Sequence, residues 1–380
     1  MHRKSVIILF FAVATLLVLG IVMLFSTSAF AVDRHGDALF FVKRQGMWLG
    51  IGFLAVVAGA MLDYHFWQRT WWVWFAASVV LLILCFVPHI GMRVNGSFRW
   101  LNLRILTFQP SEVAKLAAII FLAYWFSLYA PESHEFLKGF LYPLLAMSVL
   151  MALIAREVDL GTTGLLVGVT FLIMFVAGTS MLYIAPLALG GVAGIFFIAV
   201  HMKERLGRIM AFMDLEKFKE GAGLQQWQAL IAFGSGGVDG LGLGNGRQKM
   251  LYVPFAHTDF ILPMIGEELG LRCALLIVFC YILVIVCGTL IAIHSRDRFG
   301  MLLGLGIVCM IALQAAVNIG VTTSLLPNKG LPLPYISYGG SNLVFCLLGV
   351  GILMNIYSRG LSDRGDSTTT RLQAKVTPRL

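Results

Sequence analysis

Long apolar runs separated by polar breaks follow one another from end to end of the chain. They lie near residues 5–30, 45–62, 71–90, 111–130, 139–155, 160–178, 182–202, 260–293, 301–325 and 341–358. Most approach the roughly 20 apolar residues a helix needs to cross a hydrocarbon core about 30 Å thick. Only helices or closed barrels satisfy the backbone at that depth. The pattern predicts an all-α membrane protein, a polytopic bundle of about ten transmembrane helices over residues 1–358. One large extracytoplasmic loop, 203–259, separates helices 7 and 8. The run at 111–130 is the least uniform, with Glu112 and Lys115 in its first turn. From Arg359 to Leu380 the chain is rich in Ser, Thr, Lys and Arg, and reads as a basic, disordered cytoplasmic tail.

Composition agrees. Hydrophobic residues make up 59% of the 380 and charged residues 12%, against roughly 45–50% and 25% in soluble domains. The start, His2-Arg3-Lys4 before an apolar run ending in Ala29-Phe30-Ala31, has the outline of a secretory signal. The run exceeds the apolar core of a cleavable signal, about 7–15 residues, so it is expected to remain as the first helix. All six cysteines lie in apolar segments without CxxC spacing, which makes them packing residues rather than metal ligands. The net charge of +9 comes from scattered Lys and Arg with no basic stripe interleaved with aromatics, which argues against nucleic acid and for membrane lipid phosphates.

With the N-terminus inside, Lys and Arg are modestly more numerous on the cytoplasmic side, and both termini are cytoplasmic. The segments of the opposite parity, 93–110, 156–163, 203–259 and 326–341, hold nearly all the distinctive Arg, Asp, Gly, Pro and amide residues. Mere connectors would divide such residues evenly; their crowding predicts a site assembled at the outer face. ATP and soluble nucleotide sugars are absent there, so a bond-forming reaction needs a substrate that carries its own leaving group, such as a lipid-linked diphosphate.

Within these segments Tyr252-Val-Pro-Phe-Ala-His257-Thr258-Asp259-Phe260 leads into the eighth helix. Asp259 is either an N-cap or a general base whose pKa is raised by apolar surroundings. Glu267 and Glu268 follow on the same helix, Glu268 roughly opposite Asp259 and Glu267 roughly 80° round, and read as structural. Glu112 and Lys115, at i,i+3, form a shielded ion pair or leave Lys115 facing a diphosphate. Arg99, beside Trp100, suits a phosphate or sugar contact. The seven glycines between Gly234 and Gly246 match no nucleotide motif; they supply flexibility or a backbone anion cradle. Three prolines and three glycines between Pro327 and Ser341 specify a loop more tightly than a connector requires.

The residues Phe108-Gln-Pro-Ser-Glu-Val-Ala-Lys115, Asp159-Leu-Gly-Thr162, Gly234-Ser-Gly-Gly237, His257-Thr-Asp-Phe-Ile261, Gly266-Glu-Glu-Leu-Gly270 and Ile336-Ser-Tyr-Gly-Gly-Ser341 resemble the SEDS family, that of FtsW, RodA and SpoVE, over nearly the whole chain. Gly242–Lys249 and Asn328–Pro334 look more like its FtsW division branch than its RodA elongation branch. Two departures stand out: Glu157-Val158-Asp159 where the family often has Gln-Pro-Asp, and Pro254-Phe255-Ala256-His257 where it often has Pro-Glu-Ala-His. The resemblance implies a peptidoglycan glycosyltransferase joining lipid II units at the outer face of the bacterial cytoplasmic membrane, at the division septum, with release of undecaprenyl diphosphate. It makes Asp259 the catalytic base and Arg99, Trp100, Gln109, Glu112, Lys115, His257, Ser337, Gly339 and Gly340 substrate-binding candidates. It also implies a class B penicillin-binding protein and other divisome proteins as partners. No tightly bound cofactor is expected, with a divalent cation (Mg²⁺ or Mn²⁺) left open. A lipid II flippase and a non-catalytic scaffold are the competing readings.

Overall fold

The protein is described from a computed structural model, over residues 2–28, 39–94, 97–102, 107–201, 203–249 and 258–376. Among the described residues, eight helices are long and apolar enough to cross a membrane: α1 (His2–Ser28), α2 (Phe40–Met61), α5 (Pro110–Leu128), α6 (Tyr142–Arg156, extended by a π-helical turn, Phe136–Leu141), α7 (Leu160–Ala177), α11 (Ile261–Ile293), α12 (Arg298–Thr322) and α13 (Gly340–Val376). Two shorter apolar helices occupy the remaining expected positions, α4 (Trp71–Leu84), which follows the single-turn α3 (His65–Arg69), and the first part of α8 (Met181–His201). The chain is thus a multi-pass membrane protein with the expected run of ten. The third run is shorter than its hydropathy suggests, because the chain turns at Cys85 ahead of Pro88, which cannot donate to a continuing helix. In α13 the apolar stretch ends at Gly360 and backbone helix continues to Val376.

The least uniform apolar run sits deepest. In α5 every residue from Pro110 to Ala123 is buried, Glu112 and Lys115 included, with α4, α7 and α12 packed around it. A helix surrounded by protein can keep charges that lipid would expel, provided they are paired. On the other side of the bundle α2 and α13 pack through Gly59 and Gly351, where a Cβ on either would strike the facing backbone. Small residues let helices approach closely in lipid, where no hydrophobic force drives them together.

The segment between α8 and α11, expected as a loop, carries α9 (Lys203–Met213) and α10 (Leu224–Gly236). In α10 the buried Ala229, Ala232 and Gly236 recur at helical spacing, and the helix packs against the start of α11. The eighth expected span is not one straight helix. At Gly270 the backbone of α11 takes φ 76° and ψ 179°, a conformation essentially confined to glycine, so a short helix from Ile261 precedes the longer one. A three-stranded antiparallel sheet, β1 (Gly91–Val94), β2 (Ser97–Asn102) and β3 (Thr107–Phe108) in that order, lies between α4 and α5.

Candidate active site at one end of the bundle

Asp259 stands two residues before α11. Its side chain does not cap that helix: Phe260 occupies the cap position and no side-chain hydrogen bond is made there. The backbone around it is held by two side chains, one from α12 and one from the loop before α13. Asn318 Nδ2, on α12, donates to the Asp259 carbonyl at 2.8 Å and to the Leu331 carbonyl at 2.7 Å. Ser337 Oγ donates to the Thr258 carbonyl at 2.6 Å and accepts from Leu333 N–H at 2.8 Å. The loop 326–339 thereby folds over Asp259 so closely that a Cβ on Gly330 would overlap its Oδ2. Burial pushes the Asp259 carboxyl up to about 6; the Asp159 charge pushes the same way and the Arg99 guanidinium pulls down.

Arg99 reaches this place from β2. Its Nη2 donates to the Val158 carbonyl at 2.8 Å, and Nε reaches toward the Glu157 carbonyl at 3.5 Å. Val158 has φ 65°, unfavourable for a β-branched residue, so the guanidinium holds a strained turn between α6 and α7. Just past that turn Asp159 caps α7, accepting from Thr162 N–H at 3.2 Å and Thr162 Oγ1 at 2.9 Å. Gln109, preceding α5, points its amide toward Asp159 at 3.5 Å and donates its backbone N–H to Ser341 Oγ at 3.1 Å. Asp259, Arg99, Gln109 and Ser337 therefore surround one region together with Asp159 and Glu157.

Lys115 is used differently from the diphosphate reading. Its ammonium is paired with Glu112 at 2.8 Å, with both side chains under 5% exposed, and donates to Gln314 Oε1 at 3.0 Å. Glu112 also accepts from Asn342 Nδ2 at 3.1 Å, and Gln314 Nε2 donates to the Pro332 carbonyl at 2.8 Å. This buried chain runs from α5 through α12 into the loop over Asp259, so the pair supports the loop from beneath. Gly340 begins α13 where a Cβ would overlap the Trp48 indole, whereas Gly339 meets only ordinary contacts. Trp100 is half-buried in β2 opposite Met92. His257 lies outside the described residues.

The glycine-rich stretch does bind anions, and they belong to the protein. Glu268 Oε2 accepts from Gly244 N–H at 2.8 Å, and Glu267 Oε1 from Arg247 N–H at 2.9 Å. Positive φ at Gly237, Gly240, Gly242 and Gly244 lets the loop wrap these carboxylates. Lys249 pairs with Glu268 at 2.6 Å, and Ser26 at the end of α1 donates to the same carboxylate at 2.7 Å. Glu267 and Glu268 thus bond to the glycine-rich loop, Lys249 and the end of α1, the neighbours a structural role requires.

A family model described as "Cell cycle protein", spanning FtsW, RodA and SpoVE, matches residues 7–360. The chain belongs to this FtsW/RodA/SpoVE family. Among family members it is 38% identical, over 94% of its length and 96% of the relative's, to a probable peptidoglycan glycosyltransferase FtsW of Geobacter metallireducens. It is 37% identical to stage V sporulation protein E of Bacillus subtilis, over 90% of this chain and 95% of that one. Its fold is similar to that of a chain in a peptidoglycan synthase complex described as coordinating polymerization and crosslinking, with TM-score 0.76, 25% identity, and 93% and 98% of the two chains covered. Thermus thermophilus RodA gives TM-score 0.69 at 26% identity, covering 93% and 96%.

Sequence reasoning left Glu157, Asp159, Asn318, Gln314 and Gly330 out of the site. Gln314 and Asn318 carried a readable signal, two amides one turn apart in an apolar helix, where polar groups need partners. Gly330 carried none, because its role depends on how the loop folds.

Proposed function

We propose that this FtsW/RodA/SpoVE family member is a peptidoglycan glycosyltransferase of the division branch. It joins lipid II units at the outer face of the bacterial cytoplasmic membrane and releases undecaprenyl diphosphate. The observation that carries the reading is Asp259, a half-buried carboxylate without a capping bond, raised to about 6 and held at the mouth of α11 near Arg99. A base tuned near neutral pH suits proton abstraction. Asp259 takes the proton from the acceptor sugar's 4-hydroxyl as that oxygen bonds to the donor's anomeric carbon. The bond from that carbon to the diphosphate breaks, and its electron pair leaves with the diphosphate oxygen. Arg99 faces the departing charge, where a preorganised cation is most effective.

Among the described residues no three His, Cys, Asp or Glu side chains stand together as a metal cage. A Mg²⁺ or Mn²⁺ ion would accompany the substrate diphosphate as its counter-ion. Gln109 and Ser337 shape the pocket; Glu112 and Lys115 support its loop. The division assignment is supported by the name FtsW carried by relatives 38% identical to this chain. The partner is a class B penicillin-binding protein that crosslinks the new strand, the complex lies at the septum with other divisome proteins, and both termini are cytoplasmic. Proteoliposomes holding the protein, its partner and fluorescent lipid II test the reading. Polymer growth without accelerated transbilayer movement of lipid II is expected; movement without polymer makes the protein a flippase and overturns it.

A further inference from the structure

The turn between α6 and α7 contains a carboxyl that the reaction above does not use. Glu157 is 1% exposed, and its carboxylate oxygens have no hydrogen-bond partner beyond a weak interaction with the Cys85 thiol. The groups that act on it are Cys85 from the end of α4, Asp159 from the start of α7 and Arg99 from β2; Asp259, before α11, shares the last two with it. Arg99 lies close enough to attract this carboxyl, yet its hydrogen bonds go to the backbone carbonyls of the turn. A charged carboxylate in such a position lacks the partners that compensate burial, whereas a neutral one does not compete for the guanidinium. Burial, reinforced by Asp159, accordingly pushes Glu157 up to about 8, against the pull of Cys85 and Arg99.

We propose that Glu157 is a positioning residue for Arg99: uncharged, it leaves the guanidinium free to meet the anionic end of a lipid-linked diphosphate, and ionised, it draws the guanidinium into an ion pair inside the turn. The inference rests on the reading that Arg99 faces the diphosphate. Diphosphate binding then weakens as pH rises through the Glu157 pKa, because the binding-competent form is the protonated one.

The test measures the Kd of undecaprenyl diphosphate for the full-length protein with its partner, at pH 7 and pH 9, in wild type and Glu157→Gln. Ionisation of the ligand itself weighs equally on both proteins. The wild-type ratio of Kd at pH 9 to pH 7 is expected to exceed the variant's by about tenfold, the change in protonated fraction for one group titrating near 8. Equal ratios overturn the proposal. If Glu157→Gln does not fold, wild-type infrared difference spectra decide. A protonated-carboxyl band lost between pH 7 and 9 in step with the Kd is expected; weaker binding without loss of such a band overturns it. A complex that shows this signature but makes no polymer from lipid II refutes the glycosyltransferase reading alone, and one that makes polymer with equal Kd ratios refutes this inference alone.

Discussion

Replacing Lys115 by Met separates the two roles the sequence allows it. The side chain is buried, with Nζ 2.8 Å from Glu112 and 3.0 Å from Gln314 Oε1. Its loss leaves Glu112 with one remaining side-chain donor, Asn342 at 3.1 Å, and strips Gln314 Oε1 of its partner. Breaking a buried ion pair from one side costs about 3–5 kcal/mol, because the remaining charge stays buried and uncompensated. Removing both charges, as Glu112→Gln with Lys115→Met, replaces the uncompensated ion with a neutral amide. The double variant should therefore be less unstable than the two single losses summed, by a coupling energy of about 2 kcal/mol or more. Equilibrium unfolding of wild type, both single variants and the double variant in mixed micelles measures the cycle, and lipid II turnover is followed in parallel. A Lys115→Met protein within about 1 kcal/mol of wild type but with KM raised tenfold or more would refute the structural role and place Lys115 on the diphosphate.

Three further outcomes follow from the same geometry. Gly330→Ala places a methyl on Asp259 Oδ2; displacing a catalytic group by about 1 Å can lower turnover about 100-fold, and kcat at unchanged partner binding reads it. Gly270→Ala puts a Cβ where φ is 76° and against the Val238 carbonyl, so it destabilises the protein by about 1–3 kcal/mol from strain alone, seen as a lowered Tm. Asp259 must be ionised to accept a proton, and its carboxyl is raised to about 6. Polymerase kcat/KM should therefore rise tenfold per pH unit below about 6 and level off between about 6 and the Glu157 titration near 8; a limb near 4 would show that the base is not held in this environment.

How much of this was legible in the sequence varies with how local the cause is. The ten helices are, because span length and hydropathy are properties of consecutive residues. The short α4 departs from the pattern only because Pro88 ends it early. Asp259 was legible as a candidate from its place at the head of a span, but the choice between cap and base was not. That choice turns on Asn318, Ser337 and Gly330, which come from segments more than 50 residues away and meet Asp259 only after folding. The Glu112 and Lys115 pair was visible at i,i+3, yet its depth was hidden, since hydropathy cannot distinguish a helix facing lipid from one enclosed by protein. The glycine-rich segment showed anion-binding chemistry but not its ligand, which proved to be Glu267 and Glu268 of the same chain.

The central claim is that Asp259 is the base of a lipid II polymerase. Turnover of labelled lipid II by purified Asp259→Asn protein with its transpeptidase partner tests it most directly. The variant keeps the shape of the side chain and removes its basicity. The account predicts a fall in polymer yield of about 100-fold or more, the contribution of a positioned general base, with partner and lipid II binding retained. Turnover within a few-fold of wild type would contradict it.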